Sequence, residues 1–102
     1  MGATAGEDRD QRDKRLLEEH RNGRAGALEE LLVAYQDRLY GVCLRMLGDR
    51  ERARDLTQDA MVKIITGLDS FDGRAKLSTW MIRVTMNACL SELRKLRLRK
   101  HA

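Results

Sequence analysis

The stretch ALEELLVAYQDRLYGVCLRMLG, residues 27–48, decides the fold. Its apolar side chains Leu28, Leu31, Leu32, Tyr35, Leu39, Val42, Cys43 and Met46 recur at steps of three and four, which at 3.6 residues per turn places them on one helix face. Gly48 follows the last of them, where a residue without a Cβ can turn the chain out of the helix. The spacing predicts one long helix over these residues.

Outward toward the C-terminus, Asp49 is a good N-cap, and Ala53, Leu56, Ala60, Met61, Ile64, Ile65 and Leu68 again keep helical spacing, ending near Gly67. From Asp69 to Lys76 the periodicity stops and turn formers gather, which predicts a loop with Phe71 tucked inward. Ser78 or Thr79 can cap a last helix running to about Arg97. In the other direction, Asp10 to Asn22 reads as a short helix carrying Leu16 and Leu17 and closed by Gly23, with residues 1–9 as a flexible arm. There is no Pro and no alternating strand pattern. The expected class is all-α, a compact bundle of three long helices plus a short N-terminal helix, forming one domain over residues 10–102.

Composition agrees with a single domain. The 102 residues are 42% hydrophobic and 35% charged, and a chain this short buries roughly 60–65% of its unfolded surface, enough for one core. No apolar run approaches the ~20 residues of a membrane span, and the first residues lack an apolar signal core, so no membrane insertion and a cytoplasmic location are expected. Cys43 and Cys89 both fall on apolar stripes and are expected as buried free thiols.

Charge is unevenly distributed. Residues 1–27 carry six basic and six acidic side chains, residues 28–72 six and nine, and residues 73–102 eight and one. An acidic middle ahead of a basic end suits two surfaces, one for a basic partner and one for a polyanion. A helix end solubilised by cations would carry the same basic run.

With the core assigned, Asp55, Gln58, Asp59 and Val62 remain on a separate face of the third helix, able to dock a basic helix or simply to face water. On the last helix, Met81, Ile82, Val84, Ala88, Cys89, Leu93 and Leu96 fill one side, while Thr79, Trp80, Arg83, Asn87, Arg94 and Arg97 fall on the other. Cations for phosphates, an indole for an unpaired base and an amide for a base edge together suit single-stranded nucleic acid. Trp80 can equally cap the core at the helix start. Asn87 can equally bond solvent or fix the loop.

Catalytic chemistry has no candidate in this pattern. His20 and His101 lie near opposite ends without Cys or His at ligand spacing, Ser70, Ser78 and Ser91 occupy no nucleophile context, and no Gly-rich phosphate loop occurs. Neither an enzyme nor a metal or cofactor is expected.

Taken together, Gly48-Asp49, Ala53, Asp55-Leu56, Gln58-Asp59, Phe71-Asp72-Gly73, Thr79-Trp80-Met81, Val84, Asn87 and the closing Arg94-Lys95 to Arg99-Lys100 resemble region 2 of the sigma-70 superfamily, in its extracytoplasmic-function (ECF) branch. The likeness covers residues 28 to 100. It implies a bacterial transcription initiation factor that binds core RNA polymerase and recognises the promoter minus-ten element as single-stranded, non-template DNA. The β′ clamp helices would meet Asp55, Gln58 and Asp59 around Val62. The loop Ser70, Phe71, Asp72, Gly73, Arg74, Ala75 and Lys76 would hold a flipped base, while Thr79, Trp80, Arg83, Asn87, Arg94 and Arg97 engage the strand. An anti-sigma factor is a further implied partner. Two positions depart from the pattern: Ser91 stands where the family usually has Asp, and Met61 where it often has Phe. The family's second domain, which reads the minus-thirty-five element, has no counterpart here, so the sequence is expected to be a region 2 piece of a longer protein. An alternative is a sigma-like module that binds polymerase or an anti-sigma factor without reading DNA. A generic nucleic-acid-binding bundle would leave the Asp55, Gln58, Asp59 face unexplained.

Overall fold

The computed structural model describes residues 6–100. It consists of helices α1 (Arg9–Arg21), α2 (Ala27–Leu47), α3 (Arg50–Gly67) and α4 (Leu77–Lys100), with a short 3-10 turn at Leu68–Ser70 before the loop into α4. Helix α2 packs on α1, α3 and α4, and α4 also lies against α3 and α1.

Local chemistry sets the ends. Asp8 caps α1 reciprocally: its carboxylate accepts from the Gln11 amide at 2.8 Å, and the Gln11 side chain accepts from the Asp8 amide at 3.1 Å. Arg15 pairs with Glu7 at 2.8 Å. The helix therefore starts at Arg9, one residue ahead of the expected Asp10, with Asp8 as its N-cap and Glu7 tied to it through Arg15. Residues 1–5 of the expected arm lie outside the described residues. Gly48 closes α2 in the left-handed region, at φ 69°, with its amide donating to the Leu44 carbonyl at 2.8 Å. Asp49 then caps α3 by accepting from the Arg52 amide at 3.1 Å.

Helix α4 departs from expectation at both ends. Neither Ser78 nor Thr79 is a cap: the helix begins at Leu77, whose side chain is buried, and the Trp80 amide donates to the Lys76 carbonyl at 3.0 Å. Burial of Leu77 draws the first turn back past the two hydroxyl residues. At the far end the helix continues three residues beyond Arg97, through Leu, Arg and Lys, all strong helix formers, with cations favoured at a helix C-terminus.

The core falls in two clusters. Leu16 and Leu17 of α1, Leu31, Leu32, Tyr35 and Leu39 of α2, Ile64 and Leu68, and Leu77 and Met81 of α4 make the larger. Cys43, Ala53, Leu56, Ala88 and Cys89 make the smaller. Both cysteines are free and fully buried. Burial, and after it the adjacent Cys43 thiol, pushes Cys89 up to about 12. On α3, Ala53, Leu56, Ala60 and Ile64, with Leu68 at its C-cap, are all buried, as their spacing implies, while Ile65 is 44% exposed. Thr57 is buried in the α3 stripe, its hydroxyl satisfied by donating to the Ala53 carbonyl at 2.6 Å. Asp13 is also buried, and accepts from the Tyr35 hydroxyl and from Arg12 at 3.1 Å.

Candidate protein and nucleic-acid interfaces

Helix α3 turns one stripe outward. Asp55, Gln58, Asp59 and Val62 follow one another at three, one and three residues, and all are exposed, as the sequence pattern predicted. Val62 is 58% exposed, and Ile65, seven residues beyond Gln58, lies beside it on the same stripe. Neither Asp55 nor Asp59 forms an ion pair among the described residues. Two carboxylates and an amide around exposed aliphatic side chains offer both polar pairing and apolar contact to an incoming helix. Sequence reasoning missed Ile65 because its spacing suits the core as well as the surface.

Helix α4 presents its own outer stripe, in which Arg83, Asn87, Arg94 and Arg97 are all exposed. Met86 and Leu90, 41% and 43% exposed, stand among them, so the basic face has an apolar middle. None of Arg83, Arg94, Lys95, Arg97, Arg99 and Lys100 is paired with a carboxylate among the described residues. Their charge remains available to an outside anion. Thr79 is half-buried in the first turn. Trp80 is half-buried too, packed against the larger core cluster, with its ring 5.4 Å from that of Phe71 and tilted by 47°. Gly67 makes room for it: a Cβ there would stand 3.2 Å from the indole. The indole is thus a core cap whose edge borders the basic stripe.

The loop between these helices is ordered by its own side chains. Ser70 donates to the Gly67 carbonyl at 2.8 Å. The Asp72 carboxylate accepts from the Arg74 amide at 3.0 Å and pairs with its guanidinium at 3.1 Å. Gly73, at φ 80°, supplies the left-handed residue of the turn. Phe71 is tucked inward and Ala75 half-buried, while Lys76 pairs with Asp10 of α1 at 3.1 Å. Arg21 of α1 donates to the carbonyls of Phe71 at 3.0 Å and Leu68 at 3.4 Å. Helix α1 therefore grips the loop at both ends, and between the grips lies an open cavity of about 640 Å³ bordered by Leu17, Phe71, Ala75 and Leu77. This contribution of α1 has no signature in the sequence, where Asp10 and Arg21 look like ordinary solvated charges. No helix among the described residues is long and apolar enough to cross a membrane.

The arrangement agrees with what the chain resembles. The sigma-70 region 2 pattern matches residues 31–99. The chain is 33% identical over 82 residues to the ECF RNA polymerase sigma factor SigW of Bacillus subtilis, covering 80% of this chain and 44% of the relative. It is 29% identical over 83 residues to the RNA polymerase sigma-H factor of Pseudomonas aeruginosa, covering 81% and 43%. The chain thus spans less than half the length of these relatives. Among solved structures, an engineered region 2 of sigmaE in complex with GTAAAA superposes with a TM-score of 0.76 at 31% identity, covering 85% of this chain and 90% of that one. With a matching fold, a family pattern over residues 31–99 and an ECF relative at 33% identity, this chain belongs to the sigma-70 region 2 family, in its ECF branch.

Proposed function

We propose that this chain is the part of a bacterial transcription initiation factor that binds core RNA polymerase and holds the melted minus-ten element as single-stranded, non-template DNA. The observation that carries the reading is the unpaired basic stripe of α4, which runs back toward the loop and its cavity. Arg83, Arg94 and Arg97 take phosphates, and Trp80 stands at the edge of the melted segment. The loop from Ser70 to Lys76 receives an unpaired base, and Asn87, ten residues along α4 from Leu77, offers a donor and an acceptor farther along the strand. The β′ clamp helices dock on Asp55, Gln58, Asp59 and Val62, with Ile65 extending the apolar contact. An anti-sigma factor would act on region 2 by competing for these faces in the cytoplasm. The relative solved with GTAAAA supports the DNA half of this reading.

Titrating the chain with a single-stranded minus-ten oligonucleotide across salt concentrations tests it. Three neutralised phosphates give a log–log slope near −2, from roughly −0.7 per contact. Binding without salt dependence would contradict the assignment.

A further inference from the structure

We propose that α1 supplies the specificity of the loop cavity: Glu18, with Lys14 and Asn22, recognises the edge of an unpaired base that carries an exocyclic amino group. The inference rests on the reading that a single strand lies along α4 and delivers a base to the loop.

The cavity exists because the loop is pinned to α1 by Arg21 at one end and by Asp10 through Lys76 at the other. Its apolar border includes Leu17 and Leu77, which are buried, and Phe71, which is tucked inward, and together they suit a flat ring. Lys14, Glu18 and Asn22 line the cavity as well, each four residues from the next, on one stripe that runs along α1 to its C-cap.

Most polar side chains of α1 are already engaged. Asp10 holds Lys76, Asp13 holds Tyr35 and Arg12, and Glu19 is paired with Arg15. Glu18 is the one carboxylate of this helix with no hydrogen bond or ion pair among the described residues, and the side chains of Lys14 and Asn22 have none either.

A carboxylate beside a polyanion repels phosphates, and it accepts hydrogen bonds only. Its partner on a DNA strand must therefore be a base donor. Adenine, cytosine and guanine each present an amino group, N6, N4 or N2, whereas the single donor of unpaired thymine, N3–H, is flanked by its O4 and O2 acceptors, which set lone pairs against the carboxylate. In unpaired adenine and cytosine the ring nitrogen beside the amino group is a free acceptor, to which the Asn22 amide or the Lys14 ammonium can donate, whereas in guanine that nitrogen carries a hydrogen. The cavity is built to admit adenine or cytosine and to disfavour thymine.

The test uses the whole 102-residue chain and single-stranded minus-ten oligonucleotides in which each base in turn is replaced by thymine. At one position the native protein should favour the amino-bearing base by roughly 5- to 100-fold, the range of a good base contact. Glu18→Gln should bring that ratio close to one, because an amide can donate to O4, while leaving the salt slope unchanged. Glu18 is exposed, so the substitution should leave helicity intact. If the variant keeps the native preference at every position, α1 does not read the base and this inference falls, although strand binding stands. If the native chain shows no salt-dependent binding at all, the DNA reading itself falls and takes the inference with it.

Discussion

Tyr35 carries its hydroxyl into the core to meet Asp13, and the pair joins α2 to α1. Burial first, and then Asp13, raises the Tyr35 pKa, just as burial raises Cys89 to about 12. For groups raised by folding, the stability they secure is complete below their ordinary pKa values, near 8.5 for a thiol and 10 for a phenol, and is lost as pH climbs through the folded values. Urea midpoints should therefore hold steady from about pH 7 to 8.5 and fall above that. Cys89→Ala should flatten part of the fall even as it lowers the midpoint at pH 7; an unchanged pH profile would show that the thiol plays no part. Tyr35→Phe leaves the Asp13 carboxylate with Arg12 alone, at a cost of about 1–3 kcal/mol in urea denaturation at neutral pH. Both thiols were legible in the sequence, because Cys43 and Cys89 sit on apolar stripes. Asp13 was not: on a short helix rich in charge, nothing in the spacing says that a tyrosine 22 residues away will reach it.

At the level of elements, legibility followed punctuation. The junction of α2 and α3 was readable because Gly48 and Asp49 each have one strong conformational preference, and both are realised. The start of α4 was misplaced because Ser78 and Thr79 look like caps, while the burial of Leu77 that overrides them is a tertiary effect. The apolar stripe of α3 at Ala53, Leu56, Ala60 and Ile64, continued by Leu68, was readable from its period, and Thr57 joins it because its hydroxyl donates to the Ala53 carbonyl. The dependence of the loop on α1 is wholly tertiary. Arg21 is its clearest agent, donating to two carbonyls from 47 and 50 residues away. Arg21→Ala should free those carbonyls and raise amide hydrogen exchange across residues 71–76 by roughly tenfold, about 1.4 kcal/mol of local stability at the upper end of a single hydrogen bond, while α2 and α3 exchange as before. The same variant should blur base preference without altering the salt slope. Unchanged loop exchange would mean that the loop is held by its own Asp72 and Gly73 turn.

Across the whole molecule, the two outer stripes carry opposite charge on different helices, which predicts that their functions can be separated. The sequence already showed this as an acidic middle and a basic end; what it could not show is which of those charges are used internally. The ion pairs among the described residues gather around α1 and the loop, while Asp55, Asp59 and the cations of α4 are left unpaired. Removing Asp55, Gln58 and Asp59 together, each to Ala, takes away polar groups that satisfy no partner among the described residues, so stability should change by less than about 1 kcal/mol. Binding to a β′ clamp-helix fragment should weaken by at least about tenfold, as expected when charge-assisted contacts at the centre of an interface are lost. Two carboxylates also disappear, and the formal net charge moves from +4 to +6. Affinity for the minus-ten oligonucleotide should therefore hold or rise slightly, most visibly at low salt where screening is weakest. Replacing Arg83, Arg94 and Arg97 by Ala should do the reverse, abolishing most of the salt slope and sparing the fragment. Measured side by side, a triple variant that lost both activities while keeping its helicity would show that the stripes form one interface rather than two.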